Sequence, residues 1–187
     1  MVDAEGVVFD KSFYEKYAVR ESVADMLKDS FDVAEAWTGE WAEVVTPHLV
    51  ARAGFSKRTL RRAQVTVLTV EINLKDGMHV YGQPLPEGYF TTTVSVDSGA
   101  VVSVDSLEFP EPEILNLEAL GEKLPVYGGR FEIRARCRGV GPDEERMETV
   151  GVTLQYQACD DKVCYPPERV RFELPIQLLP HDWETIK

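Results

Sequence analysis

Apolar and polar positions follow two different rhythms along the chain. From about residue 47 onward the period is two. Leu68, Val70, Ile72 and Leu74 alternate with Val67, Thr69, Glu71 and Asn73, which predicts a half-buried strand closed by the turn Lys75-Asp76-Gly77. Thr91 to Val96 and Ala100 to Val104 read as two short strands around Asp97-Ser98-Gly99, a hairpin signal. Phe131, Ile133, Ala135 and Cys137 alternate with Glu132, Arg134, Arg136 and Arg138 before Gly139-Val140-Gly141-Pro142 breaks the run. Val150, Val152, Leu154 and Tyr156 form the next apolar face. Val170, Phe172, Leu174, Ile176 and Leu178 form the last, where Pro175 predicts pairing on one side only.

Before residue 47 the spacing is helical. Ser12 and Glu15 have capping-box spacing, and Phe13, Tyr17, Val23, Met26 and Leu27 supply an apolar stripe over residues 10–29. A second short segment, Ala34 to Val45, carries Trp37 and Trp41 four residues apart, with Gly39 between them. These tryptophans are expected to dock on the body of the domain. Six or seven alternating strands without interleaved helices predict an all-β fold, an immunoglobulin-like antiparallel β-sandwich over 47–187. A short α-helical N-terminal extension or linker over 1–46 precedes it. The Cys-Trp-Cys pattern of antibody domains is absent, so the likeness concerns architecture alone.

Composition changes this picture little. With 187 residues and 44% hydrophobic content, one domain can build an adequate core without disulfide staples. A net charge of −12 argues against nucleic acid and anionic membrane surfaces as partners. No run of apolar residues is long enough for a membrane span. Met1 to Gly6 lacks the basic and apolar regions of a secretory signal. The chain is therefore expected to be cytoplasmic or a piece of something longer.

Candidate chemistry enters with the three cysteines. Cys159 and Cys164 lie within Tyr156-Gln157-Ala158-Cys159-Asp160-Asp161-Lys162-Val163-Cys164-Tyr165-Pro166-Pro167, between a strand and a rigid turn. A metal site is disfavoured: His48, His79 and His181 form no paired motif, and no second cysteine pair exists. A structural disulfide closing so short a loop would contribute only about 2 kcal/mol. The polar loop places the sulfurs near the surface, where short-loop disulfides tend to exchange. Asp160 and Asp161 disfavour a thiolate at Cys159, and no helix N-terminus assists either sulfur. The site thus reads as a poor spontaneous nucleophile that a partner's thiolate attacks, with Cys164 the favoured target. Cys137, on the apolar phase of its strand, is expected to be buried and inert.

The run YQACDDKVCYPPER, with KDGMHVYG at 75 to 82, resembles the N-terminal periplasmic domain of the DsbD thiol:disulfide interchange proteins. The resemblance covers roughly residues 60 to 178. It implies an immunoglobulin-like fold that passes reducing equivalents to partner proteins. Cys159 and Cys164 match the redox pair, and His79 and Tyr81 match aromatic residues beside it. Leu124 to Gly128 falls where the family has a cap loop, putting Val126 and Tyr127 over the pair, with Tyr165 adjoining it. The spacing is one residue shorter than the family form, and Val126 is smaller than the aromatic residue expected in the cap. The first 60 residues resemble the tail joining such a module to a preceding redoxin domain.

Two readings follow. One is a relay module, a thiol:disulfide oxidoreductase domain in which Cys159 and Cys164 exchange with a thioredoxin-fold or redoxin protein, with no cofactor beyond the pair. The other is a non-catalytic sandwich that docks a redoxin-type neighbour, with the disulfide as a static clip. The resemblance implies a periplasmic or extracytoplasmic location.

Overall fold

The computed structural model describes residues 37–86, 88–117 and 122–181. Thirteen strands follow one another with no helix among the described residues: β1 (Ala42–Val45), β2 (Leu49–Phe55), β3 (Thr59–Leu60), β4 (Val65–Leu74), β5 (His79–Tyr81), β6 (Thr93–Val96), β7 (Val102–Glu108), β8 (Glu113–Leu117), β9 (Glu122–Gly128), β10 (Arg130–Gly139), β11 (Arg146–Tyr156), β12 (Ala158–Cys159) and β13 (Glu168–Leu178). They form three sheets, ordered β1-β2-β4-β10-β7, β3-β13-β11-β6 and β12-β5-β9-β8. All pairings are antiparallel except the two-residue contact of β13 with β3.

The alternating faces explain how the first two sheets meet. Leu68, Val70 and Ile72 of β4, Ile133 and Ala135 of β10, and Val152, Leu154, Phe172, Leu174 and Ile176 of β11 and β13 belong to one buried apolar cluster. Polar side chains of the same strands face outward, as period-two patterning requires. Pro175 is paired with Thr149 of β11, while β3 reaches only Gln177 and Leu178 on the other side. The ladder there is therefore one-sided, which accommodates the missing N–H.

Three expectations change. The helix read over 10–29 lies outside the described residues. The second helical segment is not helical where it is described, and β1 pairs residue by residue with β2 from Ala42↔Ala53 to Val45↔Val50. The Thr38 N–H donates to the Ser56 carbonyl, so these backbone groups are committed to a neighbouring strand rather than to their own helix. Trp37 and Trp41 stack with ring centroids 4.3 Å apart. They pass over Gly54, where a Cβ would come within 2.9 Å of the Trp37 ring. The Arg52 guanidinium lies 4.6 Å from the Trp41 ring centroid. Docking thus holds, without a helix.

The hairpin expected around Asp97-Ser98-Gly99 is also not one. β6 pairs with β11 in the second sheet and β7 with β10 in the first, so the turn carries the chain between sheets. Gly99 supplies the positive φ of 79° that the turn needs. Asp97 is tied down instead by its N–H to the Gly151 carbonyl and by a two-point contact with Arg171.

The third difference is the extra sheet. Residues 124–128, expected as a loop, lie within β9, paired with β5 on one side and β8 on the other. Leu124 and Val126 are buried there despite Pro125 and Gly128.

Candidate functional site

Strand β11 ends at Tyr156, and β12 brings Ala158 and Cys159 beside β5, with Cys159 opposite His79. Asp160 to Val163 then reverse the chain. The Asp160 N–H donates to the Val163 carbonyl (3.0 Å), and the Tyr165 N–H donates to the Ala158 carbonyl (2.8 Å). Cys159 and Cys164 therefore face each other across an antiparallel bridge. Their sulfurs are bonded at 2.10 Å.

The two cysteines have unlike surroundings. Cys159 is 1% exposed and packs with Tyr81, Leu124 and Val126, whereas Cys164 is an exposed residue. The expectation of two sulfurs near the surface is thus right for one residue of the pair. The Tyr81 hydroxyl lies 3.4 Å from the Cys164 sulfur. A disulfide sulfur has no hydrogen to give, so the phenol is the donor. Burial, assisted by the charge of Glu122, raises the Tyr81 pKa and keeps that proton in place. Beside the disulfide opens a concavity of 580 Å³ whose lining includes His79, Tyr81, Tyr89, Leu115, Lys162 and Cys164. It lies within the size range of ligand-binding clefts.

His79 is half-buried on β5, its ring edge-on to Tyr81 with centroids 6.1 Å apart. Burial lowers its pKa, and the charge of Asp160 opposes the shift only in part. The imidazole is therefore neutral at pH 7. The Asp160 carboxylate is engaged by groups of its own turn. Its Oδ1 accepts from the N–H groups of Lys162 and Val163 at 2.8 Å each. Its Oδ2 accepts from the Tyr165 hydroxyl at 2.9 Å. These bonds, the Val163 N–H foremost, hold its carboxyl below the usual range.

Not every expected residue meets the pair. Val126 packs in the same buried cluster as Cys159. Tyr127, next along β9, faces the opposite side and joins the main core, stacked on Phe131 at 4.8 Å. Strand alternation separates neighbours that a loop would have kept together. Tyr165 lies behind the turn rather than in the concavity, packed on the His48 ring with centroids 4.3 Å apart.

Six further residues surround the turn and the concavity, and the sequence alone assigned none of them a role there. His48 Nε2 is 3.4 Å from Glu168 Oε1. The other oxygen of Glu168 accepts from the Tyr156 hydroxyl, which also meets Thr46 Oγ1. Tyr89 packs edge-on to Tyr81 at 5.2 Å and donates to Glu122. Among the described residues no group of three or more His, Cys, Asp or Glu side chains is arranged to hold a metal ion.

No curated protein sequence matches the chain. The family model for the N-terminal region of thiol:disulfide interchange protein DsbD matches residues 47–176. The N-terminal periplasmic domain of ScsB from Proteus mirabilis is similar in structure, with a TM-score of 0.52 at 16% identity over 79% of this chain. The chain spans 56% of that protein's length, and at this identity the likeness concerns the fold alone. The reduced DsbD N-terminal domain of Neisseria meningitidis aligns at 21% identity over 61% of this chain and 82% of its own, with a TM-score of 0.42. The same organism's complex between the DsbD and PilB N-terminal domains aligns at 19% identity over 57% and 73%, with a TM-score of 0.39. Since the family match runs through both large sheets and the whole cysteine hairpin, the chain belongs to the DsbD N-terminal domain family.

Proposed function

We propose that this domain is a thiol:disulfide exchange module of immunoglobulin-like architecture that relays two electrons through Cys159 and Cys164. The observation that carries this is the asymmetry of the pair, with Cys164 exposed and Cys159 almost fully buried although both line the same 580 Å³ concavity. A partner thiolate attacks the Cys164 sulfur, and the S–S bond breaks with its electron pair passing to Cys159, which then takes a proton. The second partner thiol resolves the mixed disulfide, leaving the partner oxidised and the pair reduced. The reverse sequence delivers the electrons to an oxidised acceptor. The neutral His79, opposite Cys159 on β5, adds no positive charge to hold an idle thiolate there.

The partner is a thioredoxin-fold or redoxin protein whose reactive thiol enters this concavity. Family membership supports this reading, and the apolar and aromatic lining suits a protein loop. An oxidising, extracytoplasmic compartment suits an exposed disulfide. No described helix is long and apolar enough to cross a membrane.

Two measurements test the proposal. Cys159→Ser should trap a thioredoxin-fold partner on Cys164 as a mixed disulfide, and Cys164→Ser should trap far less; failure of both to trap sinks the relay. The reduction potential should fall roughly between −200 and −270 mV, whereas a static clip would lie below about −300 mV.

A further inference from the structure

The turn between the cysteines is held from outside the disulfide. Asp160 supplies carboxylate oxygens to two consecutive N–H groups, those of Lys162 and Val163, and to the Tyr165 hydroxyl. Tyr165 does not hang free, because its ring rests on His48, which meets Glu168. Glu168 in turn accepts from Tyr156, and Tyr156 meets Thr46 in the turn between β1 and β2. Gln157 Nε2 adds a bond to the Tyr165 carbonyl (3.0 Å). This chain of contacts runs from the cysteine turn to β11, β13 and the first hairpin without passing through either sulfur. None of its bonds needs the S–S bond to exist.

Resting on the relay reading above, we propose that Asp160 is a positioning residue that keeps the hairpin folded once Cys159 and Cys164 are reduced. It thereby fixes how readily the two thiols re-form their disulfide. The physical reason is effective concentration. Two thiols held face to face across a bridged hairpin close a disulfide at less entropic cost than two on a loosened six-residue segment. The clamp therefore favours the disulfide over the dithiol, and its loss shifts the balance toward the dithiol. The charge of Asp160 acts in the same direction by opposing thiolates, so the test must separate charge from clamp.

The full chain is equilibrated with dithiothreitol, which gives two electrons and two protons to the pair and itself closes to a cyclic disulfide. The fraction of free Cys159 and Cys164 gives the equilibrium constant. Asp160→Ala should shift it toward the dithiol by about tenfold, equal to about 30 mV for a two-electron couple. Tyr165→Phe, which keeps the charge and removes one bond, should shift it in the same direction by less. Asp160→Asn, which keeps an acceptor oxygen for the two N–H groups, should stay near wild type.

An unshifted Asp160→Ala overturns the proposal while leaving the relay intact. An Asp160→Asn that shifts as far as Asp160→Ala also overturns it, assigning the effect to charge. A purely structural role would lower the melting temperature without moving the equilibrium constant, and that outcome counts against the proposal as well. If wild type and all three variants lie below about −300 mV, the relay reading itself fails, and this inference fails with it.

Discussion

Between the two large sheets, Phe172, Leu154, Ile176 and Leu68 lie in one continuous apolar cluster contributed by ten strands, with Val80, Tyr127 and Ala158 reaching it from the third sheet. At the third sheet the buried cluster is Tyr81, Leu124, Val126 and Cys159, with Leu85, Tyr89 and Leu115 packed against it. The first region is held by area removed from water, which is non-directional and indifferent to oxidation state. The second is thin, and directional contacts from Tyr81 and Asp160 supplement its packing. On the relay reading proposed above, a domain that opens and closes a bond gains from that division. The sandwich supplies stability, and the cysteine end is free to change chemistry without risking the fold.

The largest expected effect tests that division directly. Phe172→Ala should cost about 3 to 5 kcal/mol in urea unfolding, equally in oxidised and reduced protein. Leu124→Ala should cost less, near the low end of the roughly 2 to 5 kcal/mol range, because a small cluster relaxes around the cavity more easily. It should also alter the dithiothreitol equilibrium. If Leu124→Ala costs as much as Phe172→Ala and leaves that equilibrium untouched, the two regions are one core and the distinction collapses.

The same division governed what could be read from the residues. β4, β10, β11 and β13 are long and carry alternating apolar stretches, so periodicity alone revealed them. β2 escaped because Ala51 and Ala53 face the core with too little side chain to register as apolar. Gly54, on the opposite face, is what lets Trp37 and Trp41 lie over this strand. The tryptophans in turn mimicked a helix by their spacing. β9 escaped because Pro125 and Gly128 read as loop residues, although the strand is buried on two sides by its neighbours. The cysteine pair was legible because its chemistry sits in one short motif. Its support was not, since Thr46, His48, Tyr156 and Glu168 meet only through folding, Thr46 and Tyr156 across 110 positions and His48 and Glu168 across more.

A middle-sized effect concerns the cysteines as a set. Cys137 and Cys159 are equally buried, at 0% and 1% exposure, yet only Cys159 is joined to an exposed neighbour. Burial pushes the Cys137 thiol up to about 12. Native reduced protein treated with a thiol-alkylating reagent at pH 8 should therefore be labelled first at Cys164 and not at Cys137 until the chain unfolds. Replacing Cys159 and Cys164 together by Ser should lower stability by about 2 kcal/mol, the entropy of one short loop. A much larger loss would make the disulfide a structural staple and return the cysteine end to the same category as the sandwich.

The smallest expected effect is a pH dependence confined to the cysteine end. The folded pKa of His79 lies below its ordinary value of 6.5, chiefly through burial. As the pH falls from above 6.5, the unfolded chain takes up the proton first, so stability falls with it. The contribution is fully present above the unfolded value and is lost as the pH drops through the folded one. Asp160 behaves the same way in a lower window, starting near its ordinary value of 3.8, because the Val163 and Lys162 N–H groups and the Tyr165 hydroxyl favour its charged form. His79→Gln should flatten the upper part of the stability profile and leave the lower part in place, whereas Asp160→Asn should do the reverse. Phe172→Ala should displace the whole curve downward with its shape intact, since no ionisable group is lost with that ring. Urea midpoints taken across the acid range on these three variants resolve the outcome. A flattening in Phe172→Ala, or none in His79→Gln, would mean that the acid sensitivity belongs to the sandwich and not to the end that carries the disulfide.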